Sequence, residues 1–466
     1  MASTSSVGKA RRSSLDMTRG EVPPALLAFS VPAVIGNLLH QVYSITDSIV
    51  VGRILGVQAL AAVGSTMPII LLLAALVMGV NMGVGILLSQ AFGRKNLADM
   101  RHVFANSLYL GTALSILMAL VGMPLAKPIL LLMGTPEGPL AEAQSYMRIA
   151  FLTTLCPILY YLFSCAFRGM GDSRTDLYVL IVCVTVNVFL DVLFVAVFHW
   201  GVAGTAWATA LAQLLSAVIA AVLLGIKYPE MRMTRADLKP EAKLMRHICT
   251  LAGPIALQAA FNNLGSVVAQ AAVNSFGEIA MAAYTAANRI GTLALVPLES
   301  LGASLSVFAG QNYGAGKPDR IQEGVRVGLR MEMCAALALG ALVAVFGKKL
   351  TTLFIAAPSA ELLDIAWGHL LIAAAPSFLA GIMLVYQQVL RGVGAVNPAM
   401  VGGFIQLGVK IGVALVGAFL LRSLPAVWLG WPLSFAAAAL YLRSRYRAMQ
   451  NLGTIPKKAS KRQNNA

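Results

Sequence analysis

Residues 28–38 read AFSVPAVIGNL and residues 250–260 read TLAGPIALQAA; aligned on Pro32 and Pro254, the second stretch follows the first by 222 positions. Working outward, the interval recurs. GVQALAAVG at 56–64 is echoed by GEIAMAAYT at 277–285, and SQAFGRKN at 89–96 by GQNYGAGK at 310–317, both 221 positions on. RGMGDS at 168–173 returns as RGVGAV at 391–396, 223 positions on. Four landmarks held in register across half a chain mark an internal duplication, a common construction of membrane transporters.

What is duplicated is apolar. Of 466 residues 58% are hydrophobic and 12% charged, with a mean hydropathy of +0.77, against about 25% charged in an ordinary soluble domain. Apolar segments fall at about 24–46, 59–88, 104–132, 145–167, 177–198, 202–225, 248–276, 280–309, 333–356, 365–390, 398–420 and 424–442, each able to supply the roughly 20 residues of a membrane crossing. The expected fold is therefore an all-α polytopic membrane protein, twelve transmembrane helices in two six-helix lobes. Because each unit holds an even number of spans, both start on the same side, and the pseudo-twofold axis is expected along the membrane normal. The expected organisation is a tail over 1–23, lobes over 24–226 and 248–445, a polar linker over 227–247, read as a solvated charged loop, and a basic tail over 446–466. Placing the loops from an inside amino terminus puts 27 Lys and Arg residues inside and 5 outside. The positive-inside rule then sets both termini in the cytoplasm of a cell (inner or plasma) membrane. It also accounts for the net charge of +16 without nucleic acid, the basic tail facing anionic membrane lipid. The first 23 residues carry no cleavable signal pattern.

Covalent chemistry finds no support. There is no GxxxxGK[ST] phosphate loop and no HExxH. The five cysteines lie in or at the ends of apolar segments, without CxxC pairs or zinc spacing. The chain reads as a non-enzyme with no cofactor and no metal beyond a coupling H+ or Na+.

Ionisable groups at bilayer depth are expensive and so are functional candidates. Asp47 lies toward the outer end of the first span, and Asp191 lies in the fifth with Asn187 four residues earlier, on the same helix face. A polar stripe of Asn37, Gln41, Ser44 and Ser48 follows one side of the first span. Two carboxylates, an amide and hydroxyls in one lobe suit a proton or a hard cation. Across the repeat, Asn187 maps to Lys410, Asp191 to Ala414 and Asp47 to Ala269. The acids are thus confined to the amino-terminal half. Lys410 either repels a cation at the equivalent place, snorkels, or pairs with an acid such as Glu299 or Glu332. Glu299 in the eighth span is a secondary ion or gating candidate, and its pairing with Arg289, almost three helical turns away, is doubtful on distance.

LHQVYSITDSIVVGRILGVQALAAVG (39–64), SQAFGRKN with its echo GQNYGAGK, FRGMGDSRT (167–175) with LRGVGAV (390–396), and NVFLD (187–191) followed by GVAGTAWATALAQ (201–213) together resemble the multidrug and toxic compound extrusion (MATE) transporters. The resemblance covers about residues 24–445 and stands nearest the DinF-like branch. It implies a V-shaped, two-lobed exporter driven by inward H+ or Na+, with a coupling site in the amino-terminal lobe. By motif match that site is Asp47, Asn187, Asp191 and Thr209. The branch that couples through acids of the seventh and tenth spans is a poor match, because here the seventh has none and the tenth only Asp364 at its edge.

A chamber for drugs needs apolar and aromatic walls with few polar anchors. Its candidates are Asn37, Gln41, Tyr43, Met67, Gln258, Asn262, Asn263, Tyr284, Met383, Tyr386 and Gln387. Pro32 and Pro254 are expected to be matched hinges. The expected function is export of a small organic substrate, cationic and amphipathic, in exchange for H+ or Na+ by a monomer. The alternative is a flippase for an amphipathic or lipid-linked substrate.

Overall fold

The computed structural model describes residues 14–355, 358–374 and 376–451, and leaves the side chains of 44–51, 57, 264 and 374 outside the description. Its long elements are helices. In the first half they are α1 (Val22–Val50), α2 (Val57–Gly93), α3 (Leu97–Leu132), α4 (Glu137–Leu152), α5 (Leu155–Gly169), α6 (Ser173–Val192) and α7 (Gly201–Lys227). The second half has α8 (Ala242–Asn274), α9 (Glu278–Gly314), α10 (Pro318–Thr351), α11 (Ala360–His369), α12 (Phe378–Gly392), α13 (Val396–Leu415), the short α14 (Leu424–Trp428) and α15 (Gly430–Asn451). Among the described residues nine helices are long and apolar enough to cross a membrane, and eleven spans result when each of two bent pairs, α4 with α5 and α11 with α12, is one. The 33-residue α8 stands where the sequence places the seventh span.

The duplication reappears in the backbone at the same intervals. α2 and α9 begin and end 221 residues apart, and α6 and α13 do so 223 apart. Left-handed residues recur in pairs: Gly56 (φ 86°) with Gly277 (100°), Lys95 (58°) with Gly316 (65°), Gly171 (82°) with Gly394 (89°), and His199 (54°) with Arg422 (46°). Both halves also carry a π-helical turn at the same place, Leu193–Val197 and Val416–Leu420. The turns are the shared scaffold, and their capping is not. Asn96 accepts from the Asp99 amide at 3.1 Å and Asp172 from the Thr175 amide at 3.1 Å, whereas Lys317 and Ala395, which cap the matching helices, contribute no side chain.

α4 and α5 meet at 46°. Pro157 cannot donate into the helix, and the hydroxyls of Thr153 and Thr154 turn back onto the carbonyls of Ile149 (2.7 Å) and Ala150 (2.9 Å), which weakens the ladder locally.

The chain divides into two compact units. One holds Val31–Ala260 with the described residues before Met17; the other holds Met17–Ser30 with the chain from Phe261 on. In the first, Ala62, Ala126, Leu130, Ala143, Met147 and Phe151 form a buried apolar cluster. In the second, the GQNYGAGK turn straps residues 17–20 down. Gln311 Oε1 accepts from the Met17 amide (3.1 Å), Asn312 donates to the Met17 carbonyl (3.2 Å), and Lys317 donates to that of Thr18 (2.8 Å).

The polar segment between the halves is largely exposed, as its charges suggest, and is also tied down at several points. Asn106 accepts from the Glu241 amide at 2.8 Å, Tyr109 donates to the Leu238 carbonyl at 2.9 Å, and Arg101 Nε reaches Asp237 at 2.9 Å. Asp237 also receives the hydroxyl and amide of Thr234 at 2.6 and 2.7 Å. These bonds, the Thr234 hydroxyl foremost, hold its carboxyl down at about 2, against about 4 for an ordinary Asp. A lowered folded-state value means the clamp is fully present above about pH 4 and is lost as pH falls toward 2. Hydrogen exchange at residues 234–241, corrected for intrinsic rates, is therefore expected to stay protected from pH 7 to about 4 and open below. Asp237→Asn should open it at every pH, and protection that persists in that variant would show that the clamp rests on other groups.

A polar chain in the first unit and a buried lysine in the second

α6 and α7 pack against each other in the first unit, and their contact encloses Asn187 and Asp191, each 1% exposed. The i, i+4 spacing aims both at one neighbour. That neighbour includes Thr209 on α7. With the Asn187 amide turned so that both of its atoms are satisfied, Nδ2 donates to Asp191 Oδ2 at 2.9 Å. Its Oδ1 then accepts from the hydroxyl and the amide of Thr209 at 3.3 and 3.2 Å. Tyr43 of α1 meets the same hydroxyl at 3.2 Å. The result is a continuous polar chain, Tyr43–Thr209–Asn187–Asp191, in which Asp191 is the member that can carry charge. His40, which the sequence reading passed over, extends it: its ring lies 5.7 Å from that of Tyr43, and its Nε2 is 3.3 Å from the Tyr161 hydroxyl.

Tyr43, read as a wall of the drug chamber, thus joins the Asp191 chain. The side chain of Asp47 lies outside the described residues. Nearby, Arg168 and Asp176 pair at 3.5 Å, with Ser164 also hydrogen-bonded to Asp176. At the end of α7, Lys227 (2.7 Å) and Tyr228 (2.8 Å) both bind Asp172. These pairs brace helix ends and are separate from the Asp191 chain.

The remaining candidates are scattered. Asn37 and Met67 are exposed, Gln41 is half-buried, and Gln258 is buried, all in the first unit. In the second unit Asn262 and Glu299 are exposed and Asn263 is half-buried. Met383, Tyr386 and Gln387 are buried, Tyr386 against Tyr446 with ring centres 5.6 Å apart, and Gln387 donates to the Ala399 carbonyl at 3.1 Å. Pro32 and Pro254 lie inside α1 and α8. Among the described residues Glu299 and Arg289 form no ion pair.

Among the described residues Lys410 pairs with neither Glu299 nor Glu332, which removes one of its three expected roles. It is 8% exposed, has no acid within 4 Å among the described residues, and sets its ammonium 3.6 Å from the centre of the Trp431 ring. Trp431 could not be found from sequence, because the pairing joins α13 to α15 across the lobe.

The sequence pattern of the MatE family matches residues 32–193 and 254–416. The chain belongs to the MatE family. The two matched segments begin at Pro32 and Pro254, the residues that open the duplication. The probable multidrug resistance protein YoeA of Bacillus subtilis (strain 168) is 31% identical over 428 residues, 90% of this chain and 92% of that protein. An FAD transporter of Shewanella oneidensis is 26% identical across 71% of this chain and 74% of its own length. A solved outward-facing multidrug resistance MATE family transporter of the MOP superfamily shares the fold, with a TM-score of 0.87 at 21% identity over 94% of this chain and 99% of that one. As a MatE member the chain is a multi-pass membrane transporter of small molecules and not an enzyme.

Proposed function

We propose that this MatE chain is a secondary antiporter that exports amphipathic organic compounds across the inner membrane, with both termini cytoplasmic, in exchange for inward-moving H+ or Na+. The observation that carries this reading is the buried Asp191 chain together with its loss across the duplication: 223 residues on, Lys410 and Ala414 replace Asn187 and Asp191. One lobe keeps a group able to hold a cation, and the other carries a cation of its own. In this reading Asp191 and Asp47 hold the ion, and Asn187 and Thr209 orient or ligate it. Ion and cargo favour opposite-facing states, so each drives the other by differential affinity. α1 passes between the compact units at Ser30–Val31, beside Pro32, and α8 does so at Ala260–Phe261, six residues after Pro254; both positions suit hinges.

The test is uptake of a fluorescent lipophilic cation into inverted vesicles, under an imposed pH gradient and separately under a Na+ gradient. Transport under one gradient identifies the ion; transport under neither overturns the reading. FAD belongs on the cargo panel, given the Shewanella relative. Tyr43→Phe removes one neutral hydrogen bond to Thr209, worth about 1 kcal/mol. It is expected to weaken ion dependence roughly fivefold and leave transport measurable.

A further inference from the structure

Near the middle of α10, Glu332 is 0% exposed, and both of its carboxyl oxygens lack a hydrogen-bond partner among the described residues. Two glycines admit it. A Cβ on Gly381 of α12 would lie 3.3 Å from Glu332 Oε2, and one on Gly302 of α9 would lie 3.7 Å from Oε1. The same point at Gly302 is 3.3 Å from Cγ of Gln388, which follows Gly381 by two helical turns and so shares its face of α12. Gln388 is also buried, and its Oε1 has no partner either. Two side chains thus bring three acceptor oxygens without a donor to one contact of α9, α10 and α12. No charge answers them among the described residues. Arg330 of α10 and Glu299 of α9 are exposed, the Tyr386 ring of α12 packs on Tyr446, and Arg391 lies almost three turns beyond Gly381 without pairing to Glu332.

The duplication shows that the fold does not call for an acid here. At the intervals of the matching helices, 221 and 223, Glu332 corresponds to Gly111 and Gly381 to Ile158. Those two also face each other, a Cβ on Gly111 falling 2.6 Å from Ile158 Cγ2. The first half fills this contact with an apolar side chain from one helix, and the second fills it with a carboxyl from the other. A buried carboxylate without donor or counter-ion is far costlier than that isoleucine, so packing does not account for the exchange. We propose that Glu332 is a proton-binding site of the second unit, its carboxylic acid O–H donating to Gln388 Oε1. One proton taken from solvent neutralises the acid, supplies the donor that both side chains lack, and ties α10 to α12. This proton is separate from the ion assigned to Asp191 above, so neither reading depends on the other.

The test is infrared difference spectroscopy of the purified full-length protein at pH 7. Wild type minus Glu332→Gln is expected to show the carbonyl stretch of a protonated carboxylic acid, moving on exchange into heavy water. Asp191→Asn is expected to keep that band, and Gln388→Leu to shift it to higher frequency as its hydrogen bond is lost. The double swap of Glu332→Gly with Gly381→Ile restores the first half's filling and is expected to fold without the band. A difference spectrum with carboxylate stretches in place of the acid, or with no change, overturns the proposal. So does a Na+-dependent rise in the unfolding midpoint that Glu332→Gln abolishes, since the oxygens would then hold a metal cation. Isotope-labelled glutamate in the unaltered protein needs no variant to fold, and the absence of any labelled protonated-acid band at pH 7 overturns the proposal as well. None of these readouts uses an ion gradient, so a failure of gradient-driven export and a failure of this site are separate results.

Discussion

Asp191→Asn is expected to reduce gradient-driven export to the level of vesicles lacking the protein, at least about 100-fold, while the protein still inserts and melts within about 1 kcal/mol of wild type. The substitution keeps size and shape. It keeps an oxygen that can accept from Asn187 Nδ2, which lies 2.9 Å from Asp191 Oδ2. It removes charge, and Tyr43, Thr209 and Asn187 have none to replace it. A neutral amide neither releases a proton nor balances Na+, so coupling fails even where cargo still binds, and cargo affinity should move by no more than a few-fold. Asp47→Asn is expected to act alike. Glu332→Gln is the control in the second lobe: Glu332 is fully buried between α10, α9 and α12, and its carboxyl oxygens have no hydrogen-bond partner among the described residues. If Glu332→Gln stops export and Asp191→Asn does not, coupling belongs to the second lobe.

What could be read in the sequence was what the fold repeats. Gly56 and Gly277, or Gly171 and Gly394, stand out because a left-handed residue without side chain is written as glycine, and these pairs recur at the interval set by Pro32 and Pro254. His199 and Arg422 adopt the same conformation at matching places and were not legible, since neither residue type announces it. Asn187 and Asp191 were visible as a helical pair, and their contact with Thr209 follows from α6 lying against α7. Lys410 over Trp431 was not visible, because two apolar-looking helices joined by α14 must first be packed. The linker's long-range ties were not legible for a related reason. Its charges suggest solvent, yet Asp237 and Glu241 find Arg101, His102 and Asn106 more than 130 residues away in sequence.

Gly171→Ala should be among the costliest single-methyl additions in the first unit, at about 3 kcal/mol or more. Two effects combine there. The backbone is left-handed, φ +82°, which costs a residue with Cβ about 1–2 kcal/mol. A Cβ would also sit 2.2 Å from the Leu15 carbonyl oxygen and 3.1 Å from the Leu15 nitrogen. Those are main-chain atoms that no rotamer change can move, so the chain before α1 must shift and lose the bond from the Leu15 amide to the Gly171 carbonyl (3.4 Å). The strain reaches the next residue, Asp172, which caps α6 and holds Lys227 and Tyr228. Gly134→Ala separates the effects. At φ +72° with nothing within 4 Å of its Cβ, it carries the conformational term alone and should cost about 1–2 kcal/mol. Gly64, helical and with nothing within 4 Å of its Cβ, should gain up to about 1 kcal/mol as Ala. Unfolding of the three variants in detergent should rank them in that order. If Gly171→Ala melts with Gly134→Ala, the residues before α1 are not fixed against the α5–α6 turn, and the duplication's shared glycine there serves the turn alone.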